Sequence, residues 1–206
     1  MKRFVTTNSR KPLQDRSQRT AERVLKATLE LIAENGLNDL TIAGVAKRSR
    51  ATNGSIYHLF GDKETLVRQA HVQFLEKLET ALTAGISASG VLSTTQEVVR
   101  GICSSFVETF SENGRLLQAF LVEGRVVDSL RERGTETALR VERLAVAVIQ
   151  ARSGCDEAKA VWAVYLMISA QVNHLIFGEP MFMTTPPESQ DLFVNQLSGS
   201  LVQIIS

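Results

Sequence analysis

Thr41-Ile42-Ala43-Gly44-Val45-Ala46-Lys47-Arg48-Ser49-Arg50-Ala51-Thr52-Asn53-Gly54-Ser55-Ile56-Tyr57-His58-Leu59-Phe60 is the stretch on which the reading of this chain turns. It fits two short helices, over 41–48 and 52–59. Each opens on a threonine, a side chain that can accept a hydrogen bond from the exposed amides of a first helical turn. Ser49-Arg50-Ala51 leaves a turn of about three residues between them, the helix-turn-helix spacing. Ile42, Val45, Ala46, Ala51 and Ile56 form an apolar set that can pack beneath a preceding helix. Thr52, Asn53, Ser55, Tyr57 and His58 then point away. They are short or hydrogen-bonding, and Gly54 lets the backbone come close to what lies opposite, as base edges and phosphates require.

Working outward, the segment 17–35 carries Val24, Leu25, Thr28, Leu31 and Ile32 at helical spacing and closes on Asn35-Gly36. Leu25, Leu29 and Ile32 supply the cover that the two short helices need. A fourth helix is expected from 62 to about 84. Thr94-Thr95-Gln96-Glu97 reads as a capping box opening a fifth, which ends near Asn113-Gly114. Segments 115–133 and 135–153 are helical, with Gly124 and Gly134 as candidate breaks. An eighth helix spans 156–177. Thr185-Pro186-Pro187-Glu188 opens the last, to about 205. No proline lies between Leu13 and Glu179, which permits long helices. No sustained two-residue alternation suggests strands. The fold expected is all-α, about nine helices, with a three-helix helix-turn-helix domain over 17–62 and a larger helical domain over 63–206. A basic arm precedes them at 1–16.

The 206 residues sum to a net charge of +1, which conceals a division. Residues 1–70 hold thirteen Lys and Arg against seven Asp and Glu, net +6, and the remainder is net −5. A concentrated positive region is the footprint of a polyanion binder. Other chemistries find no support. The two cysteines, Cys103 and Cys155, make neither a disulfide framework nor a C-x-x-C metal site. His58, His71 and His174 are scattered, so no metal and no cofactor is expected. H-E-x-x-H, P-loop and nucleophile-elbow patterns are lacking, and Gly85-Ile86-Ser87-Ala88-Ser89 misses G-x-S-x-G. No catalytic residue is therefore named. The N-terminus has no apolar run of a secretory signal, and 160–178, though uncharged, carries Ser169, Gln171, Asn173 and His174, costly in lipid. A cytoplasmic protein without a membrane partner is the expectation.

Leu31-Ile32-Ala33-Glu34-Asn35-Gly36, Leu40-Thr41-Ile42-Ala43, Val45-Ala46-Lys47-Arg48 and Gly54-Ser55-Ile56-Tyr57-His58-Leu59-Phe60-Gly61-Asp62-Lys63-Glu64-Thr65-Leu66 together resemble the TetR family of bacterial transcriptional regulators. The resemblance covers 27–78, about a quarter of the chain. Two departures stand out: Ser49-Arg50 replaces the usual Ala-Gly of the turn, and His58-Leu59-Phe60 replaces a Tyr-His-Phe-like end. DNA-contact candidates are Thr41, Lys47, Arg48, Arg50, Thr52, Asn53, Gly54, Ser55, Tyr57, His58 and Lys63. Asn53 is the leading base reader, because an amide pairs bidentately with adenine. Lys47, Arg48, Arg50, Tyr57 and Lys63 suit phosphates.

The resemblance implies a homodimer on a palindromic double-stranded operator, joined through the last two helices. Leu166, Asn173, Ile176, Phe177, Phe193, Leu197 and Leu201 are the interface candidates. It also implies a repressor released by a hydrophobic small-molecule effector held in the C-terminal domain. Phe74, Phe106, Phe110, Phe120, Trp162, Tyr165, Met167, Gln171 and His174 are the pocket candidates, although aromatic residues of an all-α core read the same whether they line a pocket or fill it. The alternative stays open of a DNA-binding regulator of the same fold that acts architecturally or through a protein partner, with no small molecule.

Overall fold

The computed structural model describes residues 10–177 and 189–206. Among the described residues it contains nine α-helices and no strand. In order they are α1 (Arg10–Asn35), α2 (Ile42–Ser49), α3 (Asn53–Phe60), α4 (Lys63–Ser89), α5 (Thr95–Glu112), α6 (Gly114–Gln118), α7 (Asp128–Ser153), α8 (Glu157–Phe177) and α9 (Gln190–Ile205). A π-helical turn (Ala119–Glu123) and a 3-10 turn (Gly124–Val126) join α6 to α7. The chain divides into two compact units, Met1–Gln73 and Phe74–Ser206, with the boundary inside α4.

The N-terminal unit is built as its apolar spacing requires. Val24, Leu29 and Ile32 of α1 are buried with Val45 and Ala46 of α2 and with Ile56 and Phe60 of α3. The buried hydroxyl of Thr28 donates to the Val24 carbonyl at 2.8 Å, so the core carries no orphaned donor there. Gly36 terminates α1 at φ +84°, its N–H bonded to the Ile32 carbonyl. Helix α1 starts at Arg10 and not at 17, so 10–16 extend it and are not an arm; Pro12 falls in its first turn, where a missing N–H costs nothing. Residues 1–9 of the expected arm lie outside the described residues.

In the C-terminal unit α5 is the hub, packed against α7, α8 and α9, while α7 and α9 also flank α8. The Thr94–Glu97 capping box is formed, with Glu97 N–H bonded to Thr94 Oγ1 and Thr94 N–H bonded to Glu97 Oε2. Helix α4 passes through Gly85 and ends at Ser89, beyond the expected 84. Gly85 is a contact glycine here: a Cβ would stand 2.4 Å from Ser105 Cβ on α5. Gly134 lies within α7 and breaks nothing, whereas the interruption falls at 119–127. Helix α9 opens at Gln190, with Ser189 accepting from Leu192 N–H. The cap expected at 185–188 lies outside the described residues.

Candidate nucleic-acid interface

Local capping fixes the geometry of the helix-turn-helix. Thr41 Oγ1 accepts from Gly44 N–H at 3.1 Å and starts α2. Thr52 Oγ1 accepts from Ser55 N–H at 3.1 Å and lies 2.8 Å from Ser55 Oγ, which starts α3. Asp62 Oδ1 accepts from Thr65 N–H at 2.7 Å and so seats Lys63 on the first turn of α4. That backbone hydrogen bond also holds the Asp62 carboxyl below the usual carboxylate range. With Ile56 and Phe60 anchored in the core, Thr52, Asn53, Gly54, Tyr57 and His58 are left exposed, and Ser55 is half-buried. Tyr57 keeps 51% of its surface free, unusual for a large aromatic side chain unless its ring and hydroxyl have something to meet. Thr41, Lys47 and Lys63 are exposed as well.

The turn between α2 and α3 is closed by Arg50 in the left-handed conformation, φ 55° and ψ 35°. Its N–H bonds to the Ala46 carbonyl, and Ala51 N–H reaches the same oxygen at 3.1 Å, the pattern that usually carries glycine at this position. Arg50 is the one non-glycine residue at positive φ among the described residues. Neighbouring Arg48 is placed differently. Its guanidinium forks onto both Glu34 carboxylate oxygens at 2.8 and 2.6 Å, and Glu30 stands 3.5 Å away. The hydrogen bond to Glu34 holds it still more firmly protonated. Arg48 therefore ties α2 to α1, an intramolecular role that its charge alone did not reveal.

An open groove of about 740 Å3 lies between α1 and α3. Its walls are Arg16, Ser17, Thr20 and Arg23 of α1, Arg50 and Ala51 of the turn, and Thr52, Gly54, Ser55, His58 and Leu59. The α1 contribution was not anticipated from the sequence. The signal was present as spacing: 16, 20 and 23 repeat at i, i+4 and i+7, the polar face opposite the apolar stripe.

The C-terminal candidates separate by face. Helix α8 buries Ala160, Ala163, Val164, Met167 and Gln171. Trp162 and Tyr165 lie on the opposite side, 53% and 54% exposed, their rings stacked at 5.3 Å. They therefore line no interior space, contrary to their expected place in a pocket. Phe74 stacks on Phe120 at 5.6 Å and Phe106 lies 5.8 Å from Phe110, all four buried. His174 is exposed and stacks on Phe193 at 5.4 Å. Of the expected interface set, Phe177 is exposed and Leu166, Asn173, Ile176, Phe193 and Leu197 are half-buried. Leu201 is only 3% exposed and belongs to the chain's own core. Val161 and Leu192 join the exposed apolar surface. By length and composition α8 could cross a membrane, but it packs between α7 and α9.

Known proteins share both the motif and the fold. Residues 24–70 match the model of bacterial regulatory proteins of the tetR family. The chain is 29% identical over 100 residues to the HTH-type transcriptional regulator BetI of Stenotrophomonas maltophilia, and 37% identical over 98 residues to BetI 1 of Chromohalobacter salexigens. These alignments take in 48% of this chain, and 50% and 48% of the respective relatives, so the chain spans about half the length of the curated relatives it matches. Among solved structures, the TetR family transcriptional regulator PfmR of Thermus thermophilus superposes with a TM-score of 0.66 at 16% identity, covering 88% of this chain and 94% of that one. The multidrug binding protein EbrR, complexed with imidazole, superposes with a TM-score of 0.63 at 17% identity, covering 90% and 94%. At those identities the likeness is one of fold. The helix-turn-helix unit of this chain is thus similar, over residues 24–70, to that of bacterial regulatory proteins of the tetR family.

Proposed function

We propose that this protein is a cytoplasmic, non-enzymatic transcriptional regulator that binds a palindromic DNA operator as a homodimer and represses until a small hydrophobic effector releases it. One observation carries the reading: α3 presents Thr52, Asn53, Gly54 and Tyr57 outward, flanked by exposed cations, from a unit whose opposite side is fully packed. Asn53 reads a base edge, and Tyr57, Lys47 and Lys63 hold phosphates. Thr41 adds its hydroxyl at the start of α2. The exposed run of Val161, Trp162, Tyr165 and Phe177 on α8, with Leu192 on α9, supports a second copy as the missing cover. Operator release by an effector would be a coupling between two sites.

Support for the effector comes from Gln171. Its side chain is 3% exposed, and neither Oε1 nor Nε2 has a hydrogen-bond partner. The amide borders a space lined by Val107, Phe110, Ser111, His174, Leu175 and Phe193. One observation favours the second reading, a regulator with no small-molecule effector: that space measures about 30 Å3, enough for one water. Enrichment of duplexes from a randomised pool by the full chain tests the main reading. Recovery of an inverted repeat bound by two chains is expected, with release by a hydrophobic compound that binds the free protein. No enriched duplex would overturn the DNA-binding assignment. An enriched duplex that no such compound releases would favour the second reading.

A further inference from the structure

Arg50 occupies a position where glycine would be the unstrained choice. The α2 C-terminus needs a left-handed residue there, and an L side chain is crowded in that conformation. Backbone strain at an exposed surface position needs a compensation that the packing of the unit does not supply. Among the described residues the Arg50 guanidinium makes no hydrogen bond and no ion pair, and the residue is exposed. It faces the groove that α1 borders with Arg16 and Arg23. Arg23 has only a long contact, 3.4 Å, to Thr20 Oγ1. No carboxylate is among the groove's described lining residues. Arg48, two residues earlier, has its charge fully engaged by Glu34 and Glu30. The sequence thus commits one arginine of this pair to the fold and leaves the other uncommitted.

We infer that Arg50, with Arg16 and Arg23 across the groove, forms a three-arginine clamp for the phosphodiester backbone of the DNA strand running beside α3. The inference rests on the DNA-binding reading and adds to it the outer edge of the footprint. Guanidinium forks match phosphate oxygens, and the hydroxyl of Ser17 stands on the same wall to donate to the same group. The clamp carries no base preference. It fixes register and adds sequence-independent affinity, while α3 reads bases.

The test uses the full chain and a duplex that the wild type enriches from a randomised pool. Arg50→Gly restores the residue that the backbone favours, so its melting temperature should equal or exceed that of the wild type. Affinity for the duplex should nevertheless fall about tenfold in 0.1 M salt. The slope of log K against log salt should shrink by about 0.9 for each chain bound. Arg16→Gln/Arg23→Gln, at exposed positions, should shrink it by about 1.8 on the same scale. Lys26→Ala is the control: it is an exposed cation of α1 outside the groove, 3.9 Å from Glu30, and should leave the slope unchanged. An Arg50→Gly protein with wild-type affinity and slope would overturn the clamp while leaving DNA binding intact. So would an Arg50→Gly protein that melts far below the wild type, if the double glutamine variant kept the full slope. A wild type that binds inorganic pyrophosphate tightly through these arginines, with duplex affinity indifferent to their loss, would assign the groove to a free anion instead. If the wild type enriches no duplex, the DNA-binding reading falls and the clamp with it.

Discussion

Tyr57 is placed by its neighbours on α3. Ile56 and Phe60 bury one side of α3, which leaves Tyr57 half free. Replacing it with phenylalanine removes a donor and keeps the packing. Tyr57→Phe and Lys63→Ala should each weaken duplex binding about tenfold in a gel-shift or anisotropy titration, with unchanged melting temperature. Undiminished binding in both would remove α3 and the start of α4 from the contact surface. Glu97 allows a different test. Hydrogen bonds from the Thr94 hydroxyl and backbone hold its carboxyl below the usual range. A depressed carboxylate contributes stability at neutral pH that is lost as the pH falls through the acid range. Glu97→Gln should therefore flatten the acid limb of a melting-temperature profile; an unchanged acid limb would mean that the box adds nothing to the fold.

At the scale of elements, glycine has two opposite meanings in this chain. Gly85 lets α4 approach α5 so closely that a methyl group would meet Ser105 at 2.4 Å. Gly134 has nothing within 4 Å of a would-be Cβ and sits in mid-α7. Gly85→Ala should cost about 1–3 kcal/mol through overpacking, and Gly134→Ala should gain about 0.5–1 kcal/mol from helix propensity. Chemical denaturation of the two variants measures both. Equal effects would contradict the close crossing. The same pair explains what could be read in advance. Caps announce themselves locally: Thr41, Thr52, Thr94 and Asn35-Gly36 each marked a boundary that the structure keeps within a residue or so. Whether a glycine stops a helix depends on what lies across from it, and sequence spacing holds no record of that. The site follows the same division. The outward face of α3 was legible because its inward residues are apolar, whereas the engagement of Arg48 by Glu34 depends on a partner fourteen positions away.

For the molecule as a whole, the +6 and −5 halves of the charge distribution assign different physics to the two units. The N-terminal unit offers exposed lysines and arginines, and α8 in the other exposes the apolar and aromatic run of Val161, Trp162, Tyr165 and Phe177. Added salt should therefore weaken duplex binding steeply, whereas self-association through α8 and α9 should hardly change. Sedimentation in about 0.05 and 0.5 M salt, with and without duplex, separates the two. A dimer that salt dissolves would place charge, and not α8, at its centre.

Trp162 has one more consequence. It is the only tryptophan in the chain, and it stands half exposed on the apolar side of α8, its ring stacked on Tyr165. Excited at wavelengths that tyrosine does not absorb, the protein therefore fluoresces from a single indole, placed where the proposed second copy would cover it. Covering that face moves the indole from water to an apolar surrounding and shifts its emission to shorter wavelength. The unlabelled protein thus carries its own optical gauge of assembly: emission that reddens on dilution tracks separation of the chains, while the helix-turn-helix, which has no tryptophan, stays dark in the same record.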